Sequence, residues 1–264
     1  MKIRFTKAHG AKNDFLLTWR NDAPEDDLPA LARAICDRHT GVGADGWMLV
    51  EPARDGEAEA SIQLYNSDGS TAEISGNGTR CAAALLVRHN LAPGVVRIRT
   101  GAGIKTLRLL SRRELEFQFE MNMGRADVKA AHFALPLHAG PRDAAIIWVG
   151  NPQCALPVDD FDFDWRALGA EIESHPLFPD RTNVSFVRRV DAHTIDVRFY
   201  ERGAGETMSS GTGSTGAAAA AIAWGTAEWP VLVRTPAGPL QIRFDADIYL
   251  TGPAQIICEG EFFV

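Results

Sequence analysis

One short pattern occurs twice in this chain. The first copy is Ser75-Gly76-Asn77-Gly78-Thr79, running into Cys81-Ala82-Ala83-Ala84-Leu85. The second is Ser210-Gly211-Thr212-Gly213-Ser214, running into Ala217-Ala218-Ala219-Ala220. The two serines stand 135 residues apart in a chain of 264, about half its length. Each copy reads as a Gly-rich turn opening an Ala-rich helix. The first N–H groups of a helix have no carbonyl partner inside it, so each start is a ready anion site. Glycine lets the backbone approach a ligand closely. Two such starts imply two similar halves facing one small anionic substrate, with amides from Gly76, Asn77, Gly211 and Thr212 around a carboxylate. Taken singly, Ser75 and Ser210 read as N-caps. The repetition is what raises them to candidate reactive groups.

The rest of the composition narrows the class. This length holds one large domain or two of roughly 130 residues, each able to bury its own core. Hydrophobic residues make up 45% and charged residues 23%, the balance of an ordinary globular protein. The net charge of −7 gives a nucleic-acid partner no support. No apolar run has the length of a membrane span, and no signal-peptide core follows Met1, so the expectation is a cytoplasmic protein. Cys36, Cys81, Cys154 and Cys258 form no Cys-x-x-Cys pair and read as buried small hydrophobes. The seven histidines show no ligand spacing, so a metal site is not expected.

Periodicity predicts a mixed α+β fold. Strands are read at 2–7, 47–50, 61–66, 95–100, 104–110 and 115–120, with an amphipathic helix over 28–39 after the acidic run Glu25-Asp26-Asp27. The second half repeats the order, with strands at 144–149, 183–187, 194–200, 230–235, 240–244 and 254–263 and a helix at 164–173. The two halves, 1–119 and 120–251, are each expected to be a curled, mostly antiparallel sheet around a central helix. The C-terminal strand, about 252–264, is expected to pair back with the first half.

Ordered motifs then carry a family likeness. They are His9-Gly10-Ala11-Lys12-Asn13-Asp14-Phe15, Asp37-Arg38-His39-Thr40-Gly41-Val42-Gly43-Ala44-Asp45, and Asn66-Ser67-Asp68-Gly69-Ser70 leading to Gly76-Asn77-Gly78-Thr79-Arg80-Cys81. Gly150-Asn151-Pro152, Thr182-Asn183-Val184, Glu201-Arg202-Gly203-Ala204-Gly205-Glu206-Thr207 and Gly211-Thr212-Gly213 follow. Together they resemble the diaminopimelate epimerase family over nearly the whole chain. The resemblance implies a two-domain fold with an interdomain active site and a cofactor-independent, two-base mechanism. It places Asn13, Asn66, Gly76, Asn77, Asn151, Asn183, Glu201, Arg202, Gly211 and Thr212 around a diamino dicarboxylate, LL- or meso-diaminopimelate. Arg202 supplies a forked cation suited to a carboxylate, Glu201 a partner for an ammonium, and the asparagines neutral donors and acceptors. A homodimer is left open.

The two catalytic positions depart from the family. There, paired cysteines move the α-proton; here the matching residues are Ser75 and Ser210. Gln153 stands where the family's Gly-Asn-Pro motif commonly continues with histidine, and Gly46 where a larger polar residue is common. A cysteine ionises near pKa ~8.5. A hydroxyl starts near the water value of ~15.7. The gap is about 7 units, roughly 10 kcal/mol at ~1.36 kcal/mol per unit. A helix terminus offsets only ~0.3–2 kcal/mol. A reactive serine therefore needs a partner base, and His9, Asp68, Glu73 and Glu206 are the candidates nearest the motifs. Three readings stay open at this point: an epimerase silenced by its serines, a divergent isomerase or dehydratase of another amino acid using another base, and an amino-acid-binding protein.

Overall fold

The computed structural model describes residues 2–25 and 27–264, so Asp26 of the acidic run lies outside the described residues. The chain divides into two compact units, residues 1–121 with 252–264, and residues 122–251.

In the first unit the order is β1 (Lys2–Gly10), β2 (Asn13–Trp19), α1 (Leu28–Cys36), β3 (Gly46–Pro52), β4 (Ala60–Asn66), β5 (Thr71–Ala72), α2 (Gly76–Arg88), β6 (Val95–Thr100), β7 (Gly103–Arg113) and β8 (Glu116–Gly124). Neighbouring strands pair antiparallel except β2 with β3 and β4 with β6, which run parallel. The two parallel steps are the ones that span a helix, because a parallel neighbour needs a crossover. The second unit has β9 (Asp127–Leu135), β10 (Arg142–Trp148), β11 (Pro152–Pro157), α3 (Trp165–Glu173), β12 (Asn183–Asp191), β13 (Thr194–Glu201), β14 (Gly205–Thr207), α4 (Gly211–Ala223), β15 (Val231–Thr235), β16 (Gly238–Asp245) and β17 (Asp247–Phe263). Its parallel pairs, β11 with β12 and β13 with β15, again bracket α3 and α4. The repeated sequence pattern thus sits in a repeated topology.

The last strand is long enough to serve both units. β17 pairs antiparallel with β16 over Thr251–Asp247 and with β1 from Gln255 to Phe263. In the first unit Ile256 N donates to Leu115 O at 3.0 Å, which brings β17 to the strand end opposite β1.

The central helices explain their own composition. α2 is buried from Gly76 to Val87, and α4 from Gly211 to Ala221. A helix covered all round has no polar face, and alanine keeps its girth small enough for strands to close around it. α4 packs on β9 to β13, β15 and β16. Both helices also stop alike. Asn90 (φ 57°) and Gly225 (φ 67°) take the left-handed conformation, and Leu91 N and Thr226 N reach back to Leu86 O and Ala221 O, each at 2.9 Å. The helices α1 and α3 cover the opposite sheet faces. Ala32, Ile35 and Cys36 pack with Leu16, Trp47, Leu49 and Tyr65, and Trp165 and Ile172 pack with Cys154, Leu156, Val184 and Phe186. Strand alternation divides the two layers: Trp47 and Leu49 face α1, while Met48 lies so near α2 that a Cβ on Gly78 would sit 2.7 Å from its methyl.

Three sequence expectations change. The first helix stops at Cys36, three residues short of the expected 39, because Asp37 Oδ1 accepts the His39 and Thr40 amides and starts a turn. β9 was not read from the sequence; it carries Lys129 and His132 among small residues and buries few of them. β17 begins at Asp247 and runs through Gly252-Pro253, a dipeptide that reads as a break. Of the four cysteines, Cys36, Cys81 and Cys154 are buried and Cys258 is exposed.

The close approach of β1 to α2 is testable. A Cβ on Gly10 would lie 2.9 Å from Asn77 O and 3.1 Å from Asn77 Cα, whereas one on Gly94 would meet nothing within 4 Å. Gly10→Ala is expected to cost about 1–3 kcal/mol in urea unfolding. Gly94→Ala should stay within about 0.5 kcal/mol of the parent.

Candidate active site

Each unit presents one helix start, and the two are built alike. Ser75 and Ser210 are the N-caps, both extended (φ −128° and −135°). Ser75 Oγ accepts the Gly78 amide at 3.1 Å, and Ser210 Oγ accepts the Gly213 amide at 3.1 Å. Thr79 Oγ1 donates to Ser75 O, and Thr215 Oγ1 to Gly211 O, which tightens each first turn. The amides of Gly76 and Gly211 stand where no helical carbonyl can reach them.

In the first unit the candidate Asn13 and Asn77 belong to one polar relay. Arg80 Nη2 donates to Asn77 Oδ1, Asn77 Nδ2 donates to Asn13 Oδ1 at 3.3 Å, and Asn13 Nδ2 donates to Asp45 Oδ2 at 2.7 Å. A pure donor at one end and a carboxylate at the other fix both carboxamides in one orientation. Asp45 is itself held by Arg38, which forks between Asp45 Oδ1 and Asp14 Oδ1, each at 2.7 Å. Lys7 Nζ reaches Asp14 Oδ2 at 3.2 Å. Burial on its own would raise the Asp14 pKa, but hydrogen bonds from Arg38 and Lys7 and their charges hold it below the ordinary carboxylate value. Hydrogen bonds to Asp14 and Asp45, and their charges, raise the Arg38 pKa in turn. Asn66 lies outside this relay; its Nδ2 donates to Ser70 Oγ at 2.9 Å within the 66–70 turn.

In the second unit Asn151 Nδ2 donates to Thr212 Oγ1 at 3.3 Å, and Gln153 Nε2 donates to Asn151 Oδ1 at 2.8 Å. The Gln153 Oε1 atom is buried without a partner. Asn183 braces two segments: its Nδ2 donates to Pro152 O at 3.0 Å, and its Oδ1 accepts the Arg202 amide at 3.1 Å. The Glu201-Arg202-Gly203 turn is pinned again by Glu173, a buried carboxylate that accepts the Gly203 amide at 3.0 Å and Arg181 Nη2 at 2.5 Å. Arg202 is exposed, with Nη1 donating to Asp180 O at 3.2 Å.

The candidate bases are committed elsewhere or stand apart. Glu206 forms a two-pronged pair with Arg166, at 2.5 and 2.8 Å. Asp68 accepts the Ser70 hydroxyl and amide, which lower its pKa. His9 Nε2 meets Gln255 Oε1 at 3.1 Å, and its Nδ1 accepts the Lys12 amide at 3.4 Å. Glu73 is exposed. Within its own unit, neither serine hydroxyl has a histidine, lysine or carboxylate hydrogen-bond partner among the described residues. The remaining thiols offer no substitute: burial pushes Cys81 and Cys154 up to about 12, and burial with the Asp14 and Asp45 charges does the same to Cys36. Among the described residues no group of three or more His, Cys, Asp or Glu is placed to hold a metal ion. No helix among them is long and apolar enough to cross a membrane.

Comparison with known proteins agrees with this geometry. The family model described as diaminopimelate epimerase matches residues 5–129 and 145–257. The chain belongs to the diaminopimelate epimerase family. It is 35% identical to the diaminopimelate epimerase of Halothermothrix orenii, covering 100% of this chain and 99% of that one. It is 36% identical to that of Pseudomonas syringae pv. tomato, covering 99% of each. Among solved structures it is similar to a hydroxyproline epimerase from Agrobacterium vitis (TM-score 0.77, 16% identity, 98% of this chain and 92% of that one). It is also similar to a phenazine biosynthesis protein of the PhzF family from Bacillus anthracis (TM-score 0.73, 13% identity, 100% of each). These two likenesses concern the fold, which is the mixed α+β fold expected from the sequence.

Sequence reading named the anchors but gave no role to Lys7, Asp14, Arg38, Asp45, Arg80 or Glu173. Their signal was present as opposite charges inside separate motifs, but only the fold joins Asp14 to Arg38 and Glu173 to Gly203.

Two measurements check this chemistry. A thiol reagent should titrate one cysteine, Cys258, in the native protein and all four after unfolding; a second fast thiol would contradict the burial described. Asp14→Asn should lower stability near neutral pH by about 1–3 kcal/mol. Because the folded Asp14 pKa lies below its unfolded value of ~3.9, this contribution is complete above that pH and fades as pH falls through the folded value. The two proteins' urea midpoints should therefore converge in acid.

Proposed function

We propose that this chain is an isomerase of the diaminopimelate epimerase type, acting by cofactor-independent proton transfer at the α-carbon of LL- or meso-diaminopimelate. The observation that carries this reading is the matched pair of helix starts, each opening on a serine-capped Gly-rich turn, in a chain that keeps the family's motifs at both. In this proposal the amides of Gly76, Asn77, Gly211 and Thr212 receive carboxylate. Asn13, Asn66, Asn151, Asn183, Glu201 and Arg202 sort the two amino-acid ends of the ligand. Arg202 is suited to the role because its side chain is exposed and, among the described residues, is bonded only to a backbone carbonyl. Ser75 and Ser210 occupy the two proton-transfer positions. The setting is cytoplasmic, in lysine and peptidoglycan-precursor synthesis, and the partner is a small molecule rather than a nucleic acid or a membrane.

The serines set the rate. Each hydroxyl accepts a helix amide and, among the described residues of its own unit, has no histidine, lysine or carboxylate hydrogen-bond partner, so the ~7-unit gap from a thiol stands uncorrected. Binding is therefore retained while turnover is slow. Incubation with LL-diaminopimelate in heavy water tests both parts. Calorimetry should show binding to the parent and to a Ser75→Cys, Ser210→Cys double variant. The double variant should take up α-deuterium at least ~10²-fold faster, the scale of well-placed acid–base groups. Equal exchange rates would mean that another base serves the serines. Failure of both proteins to bind diaminopimelate would overturn the substrate assignment.

A further inference from the structure

The first unit contains an arginine that is charged, fully buried and, among the described residues, without a counter-ion. Arg80 lies in the second turn of α2 and is 0% exposed. Its Nε donates to Pro253 O at 3.0 Å and its Nη2 to Asn77 Oδ1; Nη1 has no hydrogen-bond partner. Elsewhere the chain gives such cations a carboxylate: Arg38 has Asp14 and Asp45, Arg97 has Glu59, Arg181 has Glu173, and Arg188 and Arg234 share Asp196. Each of those arginines is also partly exposed; among the described residues only Arg80 is both buried and met solely by neutral acceptors. A buried cation left in that state is costly, and a guanidinium does not escape by losing its proton. Burial lowers its pKa only to about 10, so it stays charged near neutral pH.

The position of the charge says where its counter-ion belongs. The guanidinium is bonded to the side chain of Asn77, which is itself in the first turn of α2. That turn already carries helix N–H groups facing away from any helical carbonyl. The charge and the helix start therefore favour an anion at the same end of the same helix. We propose that Arg80 is a positioning residue for substrate carboxylate: it locks the Asn77 carboxamide and supplies a buried positive charge that is neutralised only when a carboxylate occupies the start of α2. This rests on the functional reading above and adds to it the source of carboxylate selectivity in the first half-site.

The test compares a ligand with and without carboxylates, meso-diaminopimelate and its dicarboxamide, by calorimetry. Arg80→Met should weaken diaminopimelate binding by about tenfold or more, the scale of a lost charged hydrogen bond. Binding of the dicarboxamide should be unchanged, and Arg80→Lys should recover most of the loss. Asn77→Asp places a carboxylate against Arg80 within the protein. It should raise the melting temperature without ligand and abolish the preference for diaminopimelate over the dicarboxamide, and it decides the question if Arg80→Met does not fold. Equal diaminopimelate affinity in the parent and Arg80→Met would overturn the proposal and leave the functional reading in place. So would a parallel loss for both ligands, which is what a purely structural arginine gives. If the parent binds no diaminopimelate, the functional reading falls. The proposal is then judged with inorganic phosphate as the anion, standing if phosphate raises the melting temperature of the parent but not of Arg80→Met, and falling otherwise.

Discussion

Burying the N-terminus of a helix inside a sheet is an awkward thing for a protein to do, because the first N–H groups lose both water and helical partners. This chain does it twice. Much else follows from meeting that demand. Serine caps take the Gly78 and Gly213 amides. Glycines bring neighbouring strands close to the first turn, as Gly10 does at Asn77. Alanine runs, Ala82–Ala84 in α2 and Ala217–Ala221 in α4, keep much of each helix body narrow beneath the strands. The amides that remain after capping are the ones an anion can use, so the feature that burdens folding also supplies the proposed binding site.

The same economy explains why the serines cannot be judged by position alone. A hydroxyl at an N-cap is a good acceptor for a helix amide, and that role is complete without any chemistry. A cysteine at the same place would accept the same amides and could also take up and give back a proton near neutral pH, its thiolate helped by the helix terminus. Replacing sulfur by oxygen therefore leaves the architecture of each half-site intact and removes the acid–base group. The polar relay through Asn13 and Asn77, and the brace at Asn183, do not depend on which atom caps the helix.

Much of this was legible in the sequence, for reasons that can be named. The two loops announced themselves because glycine, serine and alanine are used in an unusual order and used twice. The central helices followed from their Ala-rich runs behind the Gly-rich turns, and α3 and most strands from periodicity. β9 escaped because its surface is mixed along its length, and β17 was cut short in reading because Gly252-Pro253 normally ends a strand. Pro253 is tolerated, and its carbonyl is put to use as an acceptor for Arg80. The anchors Asn151 and Thr212 were readable as motif members, but their contact joins residues 61 apart, and the Asn77–Asn13 contact joins residues 64 apart. Arg80 was quoted within a motif and passed over, since no spacing rule tells a buried cation from a surface one.

The course of the chain has a consequence for how the protein comes into being. It leaves the first unit within β8 and re-enters it within β17, and Lys2 pairs with Phe263. A ribosome delivers residues 2–121 long before residue 252. During that interval β1 has an unpaired flank and the sheet around α2 lacks a strand. The first unit can therefore complete its sheet only after the second has been synthesised. The price is a long-lived open edge on a nascent chain, the kind of surface on which chaperones act and aggregates begin.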